Sequence, residues 1–152
     1  MRDMHAKSRK KAVKKTWNVR FETKRYPKRV TLDADFAGIP AGSTLFVGTP
    51  QILQTYIRKV PSGETRTIQR LRRDIARANR CAAMCPVSTS IFLRILAEAA
   101  WDDLDAGKRV QDVTPFWRVI EPGSAIAKKL RATDAWLNKQ RHSEIEQGRS
   151  RQ

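Results

Sequence analysis

The fold of this chain is decided by residues 67–96, which read TIQRLRRDIARANRCAAMCPVSTSIFLRIL. Thr67 is a favourable helix N-cap, and the apolar residues behind it recur at the spacing of one helical face: Ile68, Leu71, Ile75 and Ala78. The irregular segment 81–86 follows, after which Ser88 or Thr89 is expected to cap a second helix with a wide apolar face. Two helices joined in this way, the first rich in arginine, are typical of a helix-turn-helix motif.

This helix pair predicts a nucleic-acid-binding surface. In a helix-turn-helix the N-terminal residues of the second helix enter a groove while flanking residues bind phosphate, and a helix N-terminus can itself bind a phosphate oxygen. We expect the arginines around the first helix to position the backbone and the first turns of the second helix to approach the groove. The predicted DNA-binding residues are Arg66, Thr67, Arg70, Arg73, Ser88, Thr89, Ser90 and Arg94. An ordinary helical hairpin with a solvated basic face would show the same pattern.

Outside this pair, the sequence predicts a mainly α domain with a small β element. Alternation of apolar and polar residues and short apolar runs favour strands, and the expected strands are residues 17–22, 45–47 and 113–120. Thr49 is expected to cap a helix that has Pro50 in its first turn and ends at Pro61. A last helix is expected from about 124 to 141, and Gly107 is expected to end the second helix of the pair.

Composition places the chain among basic single-domain proteins. It has 152 residues and a mass of 17.4 kDa, with 31 Lys or Arg against 15 Asp or Glu and a formal charge of +16. With 40% apolar residues the chain can build one modest core. So large an excess of positive charge most commonly serves binding to a polyanion. Nucleic acid is therefore the first partner to expect.

The positive charge is concentrated in residues 1–30, which hold twelve Lys or Arg against two acids. We therefore predict three parts: a basic N-terminal arm over 1–30, the domain with the helix-turn-helix over 31–141 and a polar tail over 142–152. Basic arms add phosphate contacts whose contribution falls with salt. The arm residues expected to make such contacts are Lys7, Arg9, Lys10, Lys11, Lys14 and Lys15. A merely solubilising tail is the alternative.

Several other classes of protein are disfavoured by the sequence. No window reaches the roughly 18 consecutive apolar residues that a membrane span needs, and the basic start lacks the apolar run of a secretory signal. Cys81 and Cys85 are too few for a disulfide framework, and with only His5 and His142 as nitrogen ligands they do not match the spacing of zinc sites. We expect a cytoplasmic or nucleoid-associated monomer that binds no membrane, metal or cofactor.

Two further segments resemble one family of DNA-repair proteins. Residues 60–67, VPSGETRT, look like the Ile-Pro-x-Gly-x-Val-x-Thr segment that leads into the DNA-binding domain of alkylguanine-DNA alkyltransferases. Residues 114–120, TPFWRVI, are similar to that family's active-site segment, Val-Pro-Cys-His-Arg-Val-Ile. The resemblance covers residues 47–130. It implies a small winged-helix-like domain that binds the minor groove of DNA with its recognition helix.

The departures from the family pattern bear on activity. Phe116 stands at the position of the alkyl-accepting Cys and Trp117 at that of the activating His, so alkyl transfer at this site is excluded because the nucleophile is a thiolate. Ile68 replaces the family's phosphate-rotating Tyr and Ser90 its base-replacing Arg, which removes the support for base flipping by the family mechanism. Arg118 is retained, as a structural anchor. The former lesion pocket is expected at Phe116, Trp117 and Arg118, with Trp117 packed inward and Phe116 near the pocket.

Together these observations predict a non-enzymatic DNA-binding protein of the alkyltransferase-like type, a class that binds and marks lesions, with duplex DNA as its partner. One alternative is an RNA- or ribosome-associated basic protein that reuses the same fold, because composition does not separate A-form from B-form partners. Another alternative keeps an enzymatic role, with Cys85 near a helix N-terminus as a relocated acceptor. A buried structural thiol is the commoner role for such a residue.

Overall fold

The computed structural model describes residues 16–150, which form five α-helices and a three-stranded sheet. The helices are α1 (Trp17–Glu22), α2 (Pro50–Lys59), α3 (Ile68–Ala78), α4 (Pro86–Asp105) and α5 (Asp134–Ser150). The strands are β1 (Lys28–Thr31), β2 (Thr44–Val47) and β3 (Ala83–Met84). Three 3₁₀ turns lie between α4 and α5, at Val110–Asp112, Phe116–Arg118 and Ala127–Lys129.

The prediction of a mainly α fold with a small β element is confirmed. The predicted arm contacts from Lys7 to Lys15 lie outside the described residues.

The small sheet anchors the α3–α4 pair to the rest of the domain. β2 is the central strand, antiparallel to β1 and parallel to β3, with Leu45 opposite Ala83 and Phe46 opposite Met84. β3 lies between α3 and α4 in the chain, and the backbone N–H of Cys85 donates to Phe46 O at 2.9 Å. The predicted strand at 45–47 is therefore confirmed, and the segment joining the two helices is pinned to it.

Side-chain caps define the starts of α2, α3 and α4. The Thr49 hydroxyl accepts from Ile52 N at 3.2 Å and the Thr67 hydroxyl from Arg70 N at 3.0 Å, so both predicted N-caps are confirmed. α4 begins earlier than expected, because Pro86 occupies its first turn and the Cys85 sulfur accepts from Ser88 N at 3.5 Å. The start predicted at Ser88 or Thr89 is therefore wrong. The predicted end is confirmed, since Gly107 follows the helix with a φ of 100°.

The core is built around α4. Eight of its residues are buried, and α1 and α2 both pack against it. α3 contributes Leu71, Ile75 and Ala76 to the same core, whereas Ala78, predicted to be buried, is exposed at the end of the helix. Across residues 16–150, no helix combines the length and the apolar composition needed to cross a membrane.

Residues 17–22 form the helix α1 and not the predicted strand. The Thr16 hydroxyl accepts from Val19 N at 3.1 Å, which caps the helix, and α1 then packs on α4. β1 follows and pairs with β2. Residues 16–31 thus belong to the folded domain, so the arm boundary predicted at residue 30 does not coincide with a structural boundary.

The C-terminal part of the domain also differs from the prediction. Residues 113–120 contain a 3₁₀ turn and no strand, because Pro115 interrupts the segment and Arg118 N bonds back to Pro115 O at 3.0 Å. The last helix begins at Asp134 and not at 124, with the Thr133 hydroxyl accepting from Trp136 N at 3.1 Å. It continues to Ser150, so residues 142–150 of the predicted polar tail are helical.

Candidate nucleic-acid interface

One side of α3 is strongly basic and exposed. The helix carries four arginines against one aspartate, and the exposed arginines on and just after it are Arg70, Arg73, Arg77 and Arg80. Arg70 and Arg73 lie 3.5 and 3.8 Å from the Asp74 carboxylate, with half of each guanidinium side chain still exposed. Exposed ion pairs of this kind contribute little to stability. The face therefore keeps a net positive charge that a phosphate can reach.

A hydrogen bond between α2 and α3 fixes the orientation of this face. The Tyr56 hydroxyl donates to Asp74 Oδ2 at 2.6 Å. Burial, followed by the hydrogen bond to Asp74 and its charge, raises the pKa of Tyr56 to about 12. The same hydrogen bond, with the nearby arginines, holds the pKa of Asp74 below its usual value. At neutral pH the tyrosine is thus a neutral donor and the aspartate an ionised acceptor.

The first turns of α4 present a different set of side chains from the one predicted. Thr89 is only 1% exposed, and its hydroxyl donates to Cys85 O at 2.6 Å, so it does not reach the surface. Ser88 is partly buried, and its hydroxyl oxygen lacks a hydrogen-bond partner within the described part of the chain. Ser90 is exposed, as predicted, beside Val87 and Ile91, whose exposed fractions are 52% and 53%.

Val87 was missed because the start of α4 was placed too late, whereas Ile91 was expected on the wide apolar face of this helix and is exposed instead. With Pro86 in the first turn, residues 87 and 91 are one helical turn apart and share a face with Ser90. Pro86 after Cys85 was the signal that could have located them. The exposed surface at this end of α4 therefore consists of two apolar side chains, Val87 and Ile91, and the hydroxyl side chain of Ser90.

The remaining predicted binding residues occupy three different settings. Thr67 is exposed at the start of α3, with its hydroxyl used as the N-cap. Arg66 is partly buried and pairs with Glu64 at 3.0 Å. Arg94 is partly buried beneath α1, with its guanidinium carbon 5.3 Å from the centre of the Trp17 ring. The structure therefore leaves Arg70 and Arg73 exposed on α3 and Ser90 exposed near the start of α4, and it places Arg94 at the α1–α4 contact.

A cavity of about 360 Å³ opens between the N-terminal ends of α3 and α4 and the loop that follows Val119. Ile68 and Ser90, the two residues that the resemblance would align with the alkyltransferase Tyr and Arg, both line it. Arg72 and Lys129 bring positive charge to its wall, and Glu121 brings one negative charge. The sequence did not predict this cavity. Part of its lining comes from the loop after Val119, and that loop was expected to be helical from residue 124.

The residues predicted to form the former lesion pocket lie elsewhere. Phe116 is fully buried and stacks on Trp136 with ring centres 5.6 Å apart, and Trp117 is 2% exposed with its ring edge toward the same indole. The expectation that only Trp117 packs inward is wrong, because a 3₁₀ turn does not alternate its side chains as a strand does. Trp117 and Arg118 instead border a separate cavity of about 670 Å³ beside α5.

Arg118 is a structural anchor, as the sequence analysis expected. Its Nη2 donates to Glu144 Oε2 at 2.6 Å and its Nη1 to Val60 O at 2.8 Å. Burial raises the pKa of Glu144, but the hydrogen bonds and charge of Arg118 outweigh it and leave that pKa below its usual value. The Trp117 indole N–H lies close to the same carboxylate without forming a hydrogen bond of normal geometry.

The two cysteines are buried free thiols. Each is 7% exposed, and the Cys85 sulfur is occupied as the cap of α4. Within residues 16–150, no group of three or more His, Cys, Asp or Glu side chains is placed to hold a metal ion.

Comparison of the chain with protein-family models, curated proteins and solved structures finds no match. The basic α3–α4 surface and the cavity beside it are therefore the features from which a function can be inferred.

Proposed function

We propose that this chain is a non-enzymatic DNA-binding protein of the alkyltransferase-like type, in which α3 and α4 act as the helix-turn-helix of a winged-helix-like domain. The observation that carries the proposal is the row of exposed arginines on α3, the helix that precedes α4 in the chain. The arginines bind backbone phosphates, and the exposed α4 residues face the groove. The formal charge of +16 favours association with any polyanion before specific contacts form.

The apolar pair on α4 favours the minor groove. Val87 and Ile91 are half exposed on one face of the first turns of α4, the helix that follows the arginine-rich α3. Minor-groove proteins place apolar side chains against or between base steps and bind the flanking phosphates with arginine. The pair and Ser90 are therefore the residues that contact the groove floor.

Lesion recognition is the finer part of the proposal. The cavity of about 360 Å³ lies within the size range of small-ligand sites and is lined by Ile68 and Ser90. With Phe116 and Trp117 buried in the core, the chain has no thiolate or imidazole at the family's acceptor position. The protein therefore binds modified DNA without repairing it.

Reversing the charge of Arg70 and Arg73 tests the assigned face. The Arg70→Glu/Arg73→Glu variant is expected to bind a labelled DNA duplex at least about tenfold more weakly, because two phosphate contacts become repulsive. The slope of log K against log salt should also become shallower by about 2. Fluorescence anisotropy across a salt series measures both quantities, and circular dichroism checks the fold.

The matched control reverses two arginines outside this face. Arg109 and Arg149 are 70% and 73% exposed and each forms an exposed pair with an acid three residues away, so Arg109→Glu/Arg149→Glu makes the same change in net charge. Equal losses of affinity in the two variants would show that only net charge matters. Adding structured RNA as competitor separates the partners: if RNA displaces duplex DNA at every salt concentration, the RNA- or ribosome-associated alternative replaces this proposal.

Deleting residues 1–15 is expected to weaken binding without abolishing the preference for duplex DNA. This segment holds seven Lys or Arg against one acid, so its loss should lower affinity and make the salt slope shallower. The deletion ends before Thr16 and so leaves α1 and β1 intact, unlike a truncation at residue 30. Anisotropy with alkylguanine-containing and unmodified duplexes measures the outcome. Complete loss of DNA binding would mean that the α3–α4 surface contributes nothing by itself.

A further inference from the structure

Three arginines gather where α1 packs on α4, and aromatic rings hold them in place. The guanidinium carbons of Arg20 and Arg94 lie 4.7 and 5.3 Å from the centre of the same Trp17 ring. The guanidinium carbon of Arg25 lies 5.2 Å from the Phe92 ring centre, and its Nη1 donates to Arg20 O at 2.8 Å. Rings order guanidinium groups in this way without neutralising their charge.

Among the described residues, no carboxylate forms an ion pair with this cluster. Within residues 16–150, the ion pairs involve other cations, and none of Arg20, Arg25 and Arg94 lies within 4.0 Å of an Asp or Glu oxygen. The Nε of Arg94 is buried and donates to nothing in the described chain. By contrast Arg118, which is similarly shielded, is paired with a carboxylate at 2.6 Å. Like charges held together without a counter-ion favour binding of an anion.

The cluster is continuous with the groove-facing end of α4. Val87, Ile91 and Arg94 follow each other at intervals of four and three residues, which places them along one face of the helix. An anion bound by the arginines would therefore lie along the same side of α4 as the apolar pair. Guanidinium groups also suit phosphate, because each presents a planar fork of N–H donors to its oxygens.

We propose that Arg20, Arg25 and Arg94 form a second phosphate-binding site, which takes a phosphodiester group of the duplex that the α3–α4 surface contacts. The site rests on the proposed function and adds α1, an element outside the helix-turn-helix, to the DNA footprint. Trp17 is its positioning residue, since it orders two of the three guanidinium groups and contributes no charge itself. The duplex is thus held on both sides of the groove-facing residues.

Neutralising two of these arginines in the full-length chain tests the site. Arg20→Gln/Arg94→Gln should make the salt slope for a labelled duplex shallower by about 2, because each phosphate contact contributes about 0.9 to it. Arg20→Lys/Arg94→Lys keeps the charges and should hold the slope near the wild-type value while affinity falls, because the fork geometry is lost. Trp17→Leu should likewise lower affinity with little change in slope. The control Arg109→Gln/Arg149→Gln removes two positive charges outside the proposed site. It should change neither the affinity for the duplex nor the salt slope appreciably.

The outcomes separate this site from the proposed function. If the α3 variant Arg70→Glu/Arg73→Glu loses affinity but Arg20→Gln/Arg94→Gln keeps wild-type affinity and slope, the second site is overturned and the proposed function stands. If the wild-type chain does not bind duplex DNA, the proposed function fails and this site fails with it. Should the double variant not fold by circular dichroism, Arg20→Gln alone is decisive: a slope shallower by about 0.9 supports the site, and an unchanged slope overturns it.

Discussion

Replacing Phe116 with alanine is expected to lower the free energy of unfolding by about 3–5 kcal/mol. The Phe116 ring is fully buried, with Trp136 stacked on it at 5.6 Å and Trp117 edge-on at 5.5 Å. Its removal leaves a cavity between two large indoles that cannot close without moving α5, so the lost burial and the cavity both contribute. Urea denaturation followed by tryptophan fluorescence and by circular dichroism measures the change.

The control for this prediction is the same substitution at an exposed phenylalanine. Phe36 is 38% exposed in the loop between β1 and β2, and Phe36→Ala should cost less than about 1 kcal/mol. Similar decreases in the free energy of unfolding for Phe36→Ala and Phe116→Ala would contradict the placement of Phe116 in the core. A large loss of stability at position 116 alone would agree with the burial of Phe116 against the two indoles.

Local signals predicted the ends of the helices around the site. Thr49 and Thr67 cap α2 and α3, and Gly107 follows α4, because each of these residues satisfies backbone groups through atoms only a few positions away. The exposed arginines of α3 were likewise predicted from helical spacing. Features whose physical cause lies within one or two turns are therefore readable from the sequence.

Long-range packing, together with the Thr16 cap and Pro115, decided the two segments that were wrongly predicted as strands. Residues 17–22 alternate like a strand, yet they form a helix because α4, about seventy residues later, offers a surface for Trp17 and its neighbours. The segment 113–120 likewise turns so that Phe116 and Trp117 both meet Trp136 on α5. A local sequence pattern cannot predict the contacts of Trp17 with α4 or of Phe116 and Trp117 with Trp136, since the partners are distant in the chain.

The same distinction applies to the candidate site. Spacing predicted that Arg70 and Arg73 would lie on an exposed face. It did not predict that Thr89 is buried, because the start of α4 was placed too late although Pro86 marks it. It could not predict that Arg94 lies against Trp17, since that depends on where α1 docks. The arginine cluster between α1 and α4 is accordingly a property of the tertiary structure alone.

Replacing Glu144 with glutamine is expected to lower the free energy of unfolding by about 2–4 kcal/mol at pH 7, because the charge of Arg118 loses its counter-ion in a shielded position. The two side chains are 12% and 15% exposed, and their closest approach is 2.6 Å. Through Arg118 the pair also links α5 to Val60 at the end of α2. Glu146→Gln is the matched control on the same helix, since Glu146 is 69% exposed in its pair with Arg149. This variant should lower the free energy of unfolding by less than about 0.5 kcal/mol.

The contribution of Glu144 should depend on pH in a defined direction. Burial raises the pKa of this carboxyl, but the hydrogen bonds and charge of Arg118 lower it by more. The folded-state pKa therefore lies below the pKa of Glu in the unfolded chain, which is about 4.3. The unfolded state therefore takes up the proton first, and the stabilisation is present above pH 4.3 and is lost as the pH falls through the folded-state pKa. Urea denaturation between pH 7 and pH 3 should show the wild-type chain and Glu144→Gln converging as the pH falls. A difference that stays constant over that range would mean that the cost of the variant arises from packing and not from the ion pair.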